Sequence, residues 1–206
     1  MKSRDCGFTL MELMVTLSIA GIVIAIGTPS FREFSRNNRM VAVANDFLGG
    51  VQTARTEAIK RQLLTGGVSI CPTDAPSDPN ATCLGAGTTR FDGWIMFTDE
   101  NNDCERDGAD KILRTGARID QQNSAARFVK SKSDGVCVSF GSGGFTHIIA
   151  GRPSASHVVF CDERGLALQT GTNLSTARGI EITNTGRARI TRDQAEITTW
   201  NVGCAQ

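Results

Sequence analysis

Residues 8–26 form an almost unbroken apolar run near the start of the chain. The run reads FTLMELMVTLSIAGIVIAI and contains one charged residue, Glu12. As a helix rising ~1.5 Å per residue it would measure roughly 28 Å, close to the ~30 Å hydrocarbon core of a bilayer. A buried helix of a globular protein would normally show a polar face, which this run lacks. The pattern therefore predicts a transmembrane helix over residues 8–28.

Two basic residues, Lys2 and Arg4, precede the apolar run. By the positive-inside rule they predict that this end of the chain is cytoplasmic. A secretory signal peptide also begins in this way, but no A-x-A-like cleavage site follows the run, and the run exceeds the about 7–15 apolar residues typical of a signal. We therefore expect the helix to remain in the mature protein.

Beyond the apolar run, hydrophobic residues recur at steps of three and four, which is the period of an amphipathic helix. This pattern predicts a helix over residues 29–62 that ends before Gly66-Gly67 and packs its apolar stripe against a sheet. The stripe consists of Phe34, Met40, Ala44, Phe47, Val51, Ala54, Ala58 and Ile59.

From Leu63 onward, short β-like runs alternate with Gly, Asn, Asp and Pro. No βαβ alternation is present, so the runs predict an antiparallel, largely meandering sheet or two sheets over residues 63–206, and an α+β fold in which the long helix packs on the sheet. The predicted strands are Gly67–Cys71, Gly93–Thr98, Lys111–Thr115, Arg127–Ser131, Val136–Phe140, Phe145–Ile149, His157–Cys161, Gly179–Thr183 and Arg187–Thr191.

Composition supports a folded, turn-rich β domain. The 206 residues include 22 Gly, ten Phe and no Tyr, and 40% are hydrophobic. This composition excludes collagen, coiled-coil rods and polytopic membrane proteins. Twenty-two basic residues against 21 acidic ones give a net charge of +1. Binding to nucleic acid would therefore need a local cluster of charge.

The stretch Gly7-Phe8-Thr9-Leu10-Met11-Glu12-Leu13-Met14-Val15 resembles the leader boundary of type IV pilins and type II secretion pseudopilins. It joins a short basic leader, a Gly–Phe junction and a lone acid four residues past Phe8. Gly21 and Pro29 also fall where pilins have helix-weakening residues. The resemblance implies that a prepilin peptidase cleaves between Gly7 and Phe8, so that residues 1–7 are a leader, and methylates the new N-terminus at Phe8.

Glu12 is the one acid in the apolar run. A carboxylate inside a bilayer costs several kcal/mol unless it is paired or protonated, so such a residue is a functional candidate. The amine of Phe8 on a neighbouring subunit is the expected partner, and this pairing would set the register of a filament during assembly. The alternative is an acid that snorkels to the headgroups.

Six of the seven cysteines remain once Cys6 is removed with the leader: Cys71, Cys83, Cys104, Cys137, Cys161 and Cys204. An even number suits a periplasmic domain with up to three disulfides. Fifteen pairings are possible. We expect Cys71–Cys83 to close the proline-rich loop and Cys161–Cys204 to hold the C-terminal tail, which leaves Cys104–Cys137.

A basic cluster lies near the C-terminus, in the sequence Gly186-Arg187-Ala188-Arg189-Ile190-Thr191-Arg192. Period-two alternation puts Arg187 and Arg189 on one face of a strand, with Arg178 on the neighbouring strand and Arg192 on the other face. Guanidinium groups spaced in this way can bind phosphates of double-stranded DNA. The motif resembles the Gly-Arg-x-Arg element of FimT-like minor pilins, which is linked to DNA capture. The alternative is a solvated edge strand protected from aggregation by its charge.

Other candidate sites are weaker. Asp99, Asn101, Asp103, Asp107 and Asp110 are spaced somewhat like an EF-hand loop, but Cys104 replaces the turn glycine, so we expect a polar hairpin tip. The run Trp94-Ile95-Met96-Phe97-Thr98-Asp99-Glu100-Asn101 resembles the W-x-x-F-x-D-x-N run of GspH/FimT-type minor pilins. Ser142 with His147 or His157 could form a hydrolase triad, but the context of a nucleophile elbow is missing. We expect no cofactor and no metal.

The resemblance to GspH/FimT-type proteins covers nearly the whole chain. It implies a minor pilin of the inner membrane, with one transmembrane helix and a periplasmic domain, that joins other pilin subunits near a filament tip and also binds DNA for natural transformation. A type II secretion pseudopilin is the first alternative. A membrane-anchored periplasmic enzyme is the second.

Overall fold

The computed structural model of the protein describes residues 7–63, 65–85, 93–116, 127–130, 137–149, 152–169, 171–200 and 204. The predicted leader residues 1–6, and the strand ends predicted at Ser131 and Val136, lie outside these ranges. The chain divides into two compact units, residues 1–38 and residues 39–206.

The first unit is dominated by the start of a long helix, α1 (Leu10–Arg61). Its first turn is capped by Thr9, whose hydroxyl accepts a hydrogen bond from the backbone N–H of Glu12 at 3.2 Å. Side chains from Phe8 to Arg36 are exposed. Among the described residues, α1 is the one helix long and apolar enough to cross a bilayer by length and composition. The two predicted helical segments are thus one continuous helix, with Pro29 inside it.

In the second unit, the remainder of α1 supplies one side of the core. Its buried residues recur every three or four positions: Met40, Ala44, Phe47, Gly50, Val51, Ala54 and Ala58. The predicted stripe is confirmed at six of these seven positions, and Gly50 is the addition. The prediction was wrong at both ends of the stripe. Phe34 lies in the first unit and is exposed, and Ile59 points about 100° away from Ala58 and is also exposed.

Two four-stranded antiparallel sheets complete the second unit, which confirms the α+β prediction. Sheet A has the order β3-β2-β1-β5, and sheet B has the order β10-β9-β8-β4. The strands of sheet A are β1 (Gly67–Thr73), β2 (Gly93–Asp99), β3 (Ile112–Thr115) and β5 (Val138–Phe140). Those of sheet B are β4 (Arg127–Lys130), β8 (His157–Cys161), β9 (Leu174–Ile182) and β10 (Ala188–Asp193). A small pair is formed by β6 (Ile148–Ile149) and β7 (Arg152–Pro153).

Several element boundaries differ from prediction. The strand predicted over Phe145–Ile149 is reduced to β6, because Phe145 ends a turn in which its carbonyl accepts from the Gly141 N–H at 3.1 Å. Strand β9 begins five residues before the predicted Gly179. A short helix, α2 (Gln194–Thr199), was not predicted; the Asp193 side chain caps it by accepting from the N–H groups of Ala195 and Glu196.

The core joins α1 to both sheets. Phe47 lies between Trp94 of sheet A and Phe160 of sheet B, with ring centroids 6.3 and 5.4 Å away. Trp94 Nε1 donates to Asp46 Oδ2 of α1 at 3.0 Å, so this buried indole is hydrogen-bonded. Gly50 allows the close approach of the helix, because a Cβ there would lie 2.7 Å from the Trp94 ring.

Three disulfides tie the loops to the sheets: Cys71–Cys83, Cys104–Cys137 and Cys161–Cys204. These are the pairs expected from the sequence. Cys71 and Cys161 lie on central strands, and both are fully buried. The bridges therefore anchor the proline-rich loop and Cys204 to ordered strands, and the acidic loop after β2 to Cys137, which directly precedes β5.

Candidate nucleic-acid interface

The residues predicted for processing and assembly lie at the start of α1. Gly7, Phe8 and Thr9 precede the helix and are exposed, with Phe8 70% exposed. Glu12 follows in the first helical turn and is also exposed. The Gly7–Phe8 peptide bond is thus outside the helix, where a peptidase could reach it.

Arg187 is an exposed arginine of the basic cluster. It ends a tight turn over residues 183–187, in which its carbonyl accepts from the Thr183 N–H at 2.9 Å. Gly186 has φ +75°, a conformation that favours glycine. Within the described part of the chain, the Arg187 guanidinium has no hydrogen bond or ion pair. It can therefore bind an anion without first breaking a contact.

Arg189 is held by two carboxylates. It lies on β10 opposite Glu181 of β9, and its Nε donates to Glu181 Oε2 at 2.6 Å. Its Nη2 pairs with Glu196 Oε1 of α2. The Arg189 guanidinium, followed by the Thr191 hydroxyl, lowers the pKa of Glu196. The prediction that Arg189 is a free partner for phosphate therefore needs correction, because its charge is already neutralised.

Arg178 is not a surface residue, and its assignment to the DNA-binding face was wrong. It is 3% exposed, and its Nη1 donates to the carbonyls of Ser175, Thr176 and Ala177. Burial, and then repulsion from Arg192 and Arg164, lowers its pKa to about 10. On β9, Arg178 shares the inner face of the strand with Ile180. Alternation along the sequence shows that the two residues share a face, but not that this face is the core face.

Arg192 is half-buried, and its Nη2 donates to Gln169 Oε1. As expected from alternation, it does not share the face of Arg189. The four predicted arginines thus occupy four different environments, and only Arg187 is both exposed and unpaired within the described residues.

The structure adds two residues that the sequence did not indicate, Arg55 and Phe145. The turn of residues 141–145 lies against the turn of residues 183–187; we call the pair the double turn. The Thr146 N–H donates to the Asn184 carbonyl at 3.0 Å, and Arg55 Nε of α1 donates to the Gly144 carbonyl at 3.0 Å. A Cβ on Gly186 would collide with that same carbonyl oxygen. Phe145 is 60% exposed on this surface.

No sequence signal brings Arg55 to the double turn, because it is one of several charged residues on a long helix. Phe145 could have been noticed, since it directly follows the glycine-rich turn Gly141-Ser142-Gly143-Gly144. The predicted strand over Phe145–Ile149 concealed it, because a strand residue there would be assigned to alternating faces.

The acidic residues after β2 organise a loop. Asp99 is fully buried and accepts from Ser69 Oγ at 2.7 Å and from the N–H groups of Asp103 and Cys104. Asp110 accepts from the N–H groups of Glu100 and Asp107. Burial raises the pKa of both Asp99 and Asp110. These carboxylates therefore satisfy backbone donors within the predicted hairpin tip.

The residues of the hydrolase alternative are not assembled into a triad within the described structure. Ser142 is exposed in the first turn of the double turn. His157 lies elsewhere, with Nδ1 2.8 Å from Ser156 Oγ and its ring 4.6 Å from that of Trp200. His147 follows β5, and its backbone N–H donates to the Ser139 carbonyl.

Comparison with known proteins identifies two family models. The model described as "Type II transport protein GspH" matches residues 43–193, and the "Prokaryotic N-terminal methylation motif" matches residues 2–28. Two Pseudomonas aeruginosa proteins, each called "Fimbrial protein", are 28% identical over 145 residues, which is 66% of this chain and 84% of theirs. "Prepilin peptidase-dependent protein D" of Escherichia coli K12 is 33% identical over 88 residues, 43% of this chain and 54% of that protein. No solved structure matches.

Proposed function

Because the chain belongs to the GspH family and carries the N-terminal methylation motif of pilin-like proteins, we propose that it is a minor pilin of a type IV pilus. The observation that carries this proposal is the methylation motif over residues 2–28, which overlaps the apolar first part of α1, where the side chains are exposed. Such a helix needs a lipid or protein environment, and a filament core would provide one after the membrane.

Prepilin peptidase would cleave between Gly7 and Phe8 and methylate Phe8. The helix would then hold the subunit in the inner membrane, with the β domain in the periplasm, until assembly. Glu12 lies four residues beyond the new amine. An ion pair between Glu12 and the Phe8 amine of a neighbouring subunit would remove the cost of an unpaired carboxylate in an apolar environment.

Filament incorporation tests this role. Glu12→Ala should leave the protein in the membrane, since an apolar side chain suits the bilayer better, but should lower its recovery in sheared filaments at least about tenfold. Ser18→Ala is the matched control, because the Ser18 hydroxyl is already satisfied by the Met14 carbonyl of its own helix. Equal recovery of Glu12→Ala and the parent protein would contradict the assembly role.

DNA binding is the second part of the proposal. Arg187 supports it as an exposed cation with no partner among the described residues, beside donors on the exposed residues Asn184 and Thr185. Contacts of this kind engage phosphates without reading bases, so binding should be independent of sequence, with Kd on the order of micromolar or weaker at physiological salt.

A type II secretion pseudopilin is the second candidate, favoured by the description of the matching family model. The similarity to two proteins called "Fimbrial protein" favours a pilus subunit over a secretion pseudopilin. Deletion of the gene in its own host separates the two, because loss of surface pili with normal protein secretion supports the pilus, and the reverse supports the secretion system.

A further inference from the structure

We propose that Phe145 stacks on unpaired bases of DNA while Arg187 and Arg55 bind the adjacent phosphates, so that the double turn prefers single-stranded to double-stranded DNA. The inference rests on the proposed DNA binding and deepens it by naming the form of DNA that this surface fits. It follows from an exposed aromatic ring on a hydrogen-bonded double turn that also carries two cations.

Phe145 is exposed on a turn that backbone hydrogen bonds hold in place. At 60%, Phe145 is the most exposed large hydrophobic side chain among the described residues of the second unit. The Gly144 N–H donates to the Gly141 carbonyl at 2.9 Å, and the Gly141 N–H donates to the Phe145 carbonyl at 3.1 Å. These two bonds fix the turn.

The two glycines before Phe145 shape the surface. The ring lies against Gly143, where an added Cβ would be 3.1 Å from Phe145 Cδ2. Gly144, with φ +74°, presses against α1, where an added Cβ would be 2.7 Å from Ile59 Cδ1. The ring thus contacts the turn at Gly143 and keeps more than half of its residue's surface exposed, as a stacking platform requires.

Two cations lie on the same double turn as this ring. Arg55 reaches the first turn through its bond to the Gly144 carbonyl and also lies close to Gly186. Arg187 closes the second turn, which is joined to the first by the bonds from Thr146 to Asn184. Arg55 Nε is used in packing, and the outer nitrogens of its guanidinium have no hydrogen bond within the described residues.

Among the described residues, the acids Glu181 and Glu57 are paired with other cations and do not cancel these charges. Glu181 pairs with Arg189, and Glu57 pairs with Lys60 and Arg61. The surface therefore keeps a local positive charge although the whole chain is nearly neutral. A positive surface with an exposed aromatic ring is the arrangement that binds single strands, because the cations follow the backbone and the ring stacks on a base.

A duplex would use only part of this surface. Its bases are stacked on each other and paired, so a phenylalanine at the surface cannot reach a base face without unstacking the helix. The phosphates stay accessible to Arg187. We therefore expect tighter binding to single strands, with the difference supplied by Phe145.

The test measures fluorescence anisotropy of labelled oligothymidylate and of a labelled duplex with the full chain in detergent micelles, across a salt series. Phe145→Ala should weaken single-strand binding about tenfold with little change in the salt slope, because stacking releases few counterions. Phe145→Trp should retain or improve binding, and Phe145→Leu should behave like Phe145→Ala. Arg187→Gln should instead lower the slope on both ligands.

Leu168→Ala is the matched control, because Leu168 is also exposed, at 47%, and lies outside the double turn. It should not change binding. If the parent protein binds neither ligand, the proposed DNA function fails as well. If it binds DNA but Phe145→Ala or Phe145→Leu retains full single-strand affinity, only the stacking inference is overturned. Normal single-strand binding with loss of filament incorporation in Phe145→Ala would identify Phe145 as a subunit contact, which also overturns the inference.

Discussion

A guanidinium group releases counterions from DNA only when it reaches the phosphates and is not already neutralised. Arg178 cannot reach a phosphate, because its side chain is buried on the inner face of sheet B. Arg189 is exposed, but its charge is already balanced by Glu181 and Glu196. Arg187 meets both conditions. Exposed arginines contribute little to stability, so Arg187 can be changed without unfolding the domain.

Arg187→Gln should therefore reduce the slope of log K against log salt by up to about 0.9, the release of one counterion. Arg189→Gln should change the slope less, because its charge is balanced by two carboxylates. Lys111→Gln is the matched control: it removes one exposed positive charge outside the double turn. Anisotropy titrations with duplex DNA give the slopes. Equal slopes for Arg187→Gln and the parent protein would show that Arg187 does not contact DNA and that the basic cluster is only a solvated strand edge.

Gly186→Ala should destabilise the protein more than Gly171→Ala. Both glycines have nearly the same φ, +75° and +76°, so both variants carry the same backbone penalty of about 1–2 kcal/mol. A Cβ at Gly171 meets nothing within 4 Å, whereas at Gly186 it would collide with the Gly144 carbonyl. Urea denaturation gives the difference between the two free energies of unfolding. A difference of zero would mean that the two turns separate at no cost.

At the residue scale, the sequence predicted the charge of the cluster but not its environment. Alternation correctly separated Arg192 from Arg189, because strand geometry determines opposite faces. It could not show that Arg178 faces the core, since a strand covered on both sides has no polar face to identify. The contact of Arg55 with Gly144 joins residues 89 positions apart, and no local pattern encodes it.

At the scale of elements, α2 determines how firmly Arg189 is held. This helix of six residues depends on its Asp193 cap and on burial of Ile197. Trp200, just beyond it, packs over Gly179 of sheet B, where a Cβ would be 2.5 Å from the indole. Glu196 projects from the helix to Arg189 and Thr191. A change that loosens α2 should therefore also release Arg189.

Asp193→Ala should lower the free energy of unfolding by about 1 kcal/mol, the usual cost of losing an N-cap. It should also increase amide exchange in α2 and raise DNA affinity modestly, because Arg189 loses its restraint from Glu196. Asp74→Ala, an exposed acid in the turn after β1, controls for loss of negative charge alone. Unchanged exchange in α2 would show that Ile197 and Trp200 hold the helix without the cap.

Elements with a clear periodic pattern of hydrophobic residues were predicted well, and short elements were not. The helix was expected to end at Gln62 and ends at Arg61, and β8 agrees at both ends. The helix α2 was missed because six residues give less than two turns of period and its stability comes from tertiary packing. Strand β9 was predicted too short because its first half, LSTAR, shows no alternation of apolar and polar residues.

At the scale of the whole molecule, three disulfides bind the second unit together. Each joins a loop or a tail to a buried strand or, at Cys137, to the residue directly before one, and closure of such loops by a disulfide typically contributes ~2–4 kcal/mol. Bridges of this kind persist in oxidising compartments, which agrees with the proposed periplasmic position of the β domain.

Thiol counting on the purified mature protein should find no free cysteine under denaturing, non-reducing conditions. After reduction, six should react, because Cys6 leaves with the leader and six cysteines follow it. Two or more free thiols before reduction would contradict the three bridges. Seven reactive thiols after reduction would show that the leader is retained.

The central claim is that this chain is processed as a pilin, and its mature N-terminus tests that claim most directly. Mass spectrometry of the protein purified from cells with prepilin peptidase should show a chain that begins at Phe8 and carries one added methyl group. The same protein from cells without the peptidase should retain residues 1–7. A mature chain that begins beyond residue 26, or one that keeps its leader in the presence of the peptidase, would contradict the account.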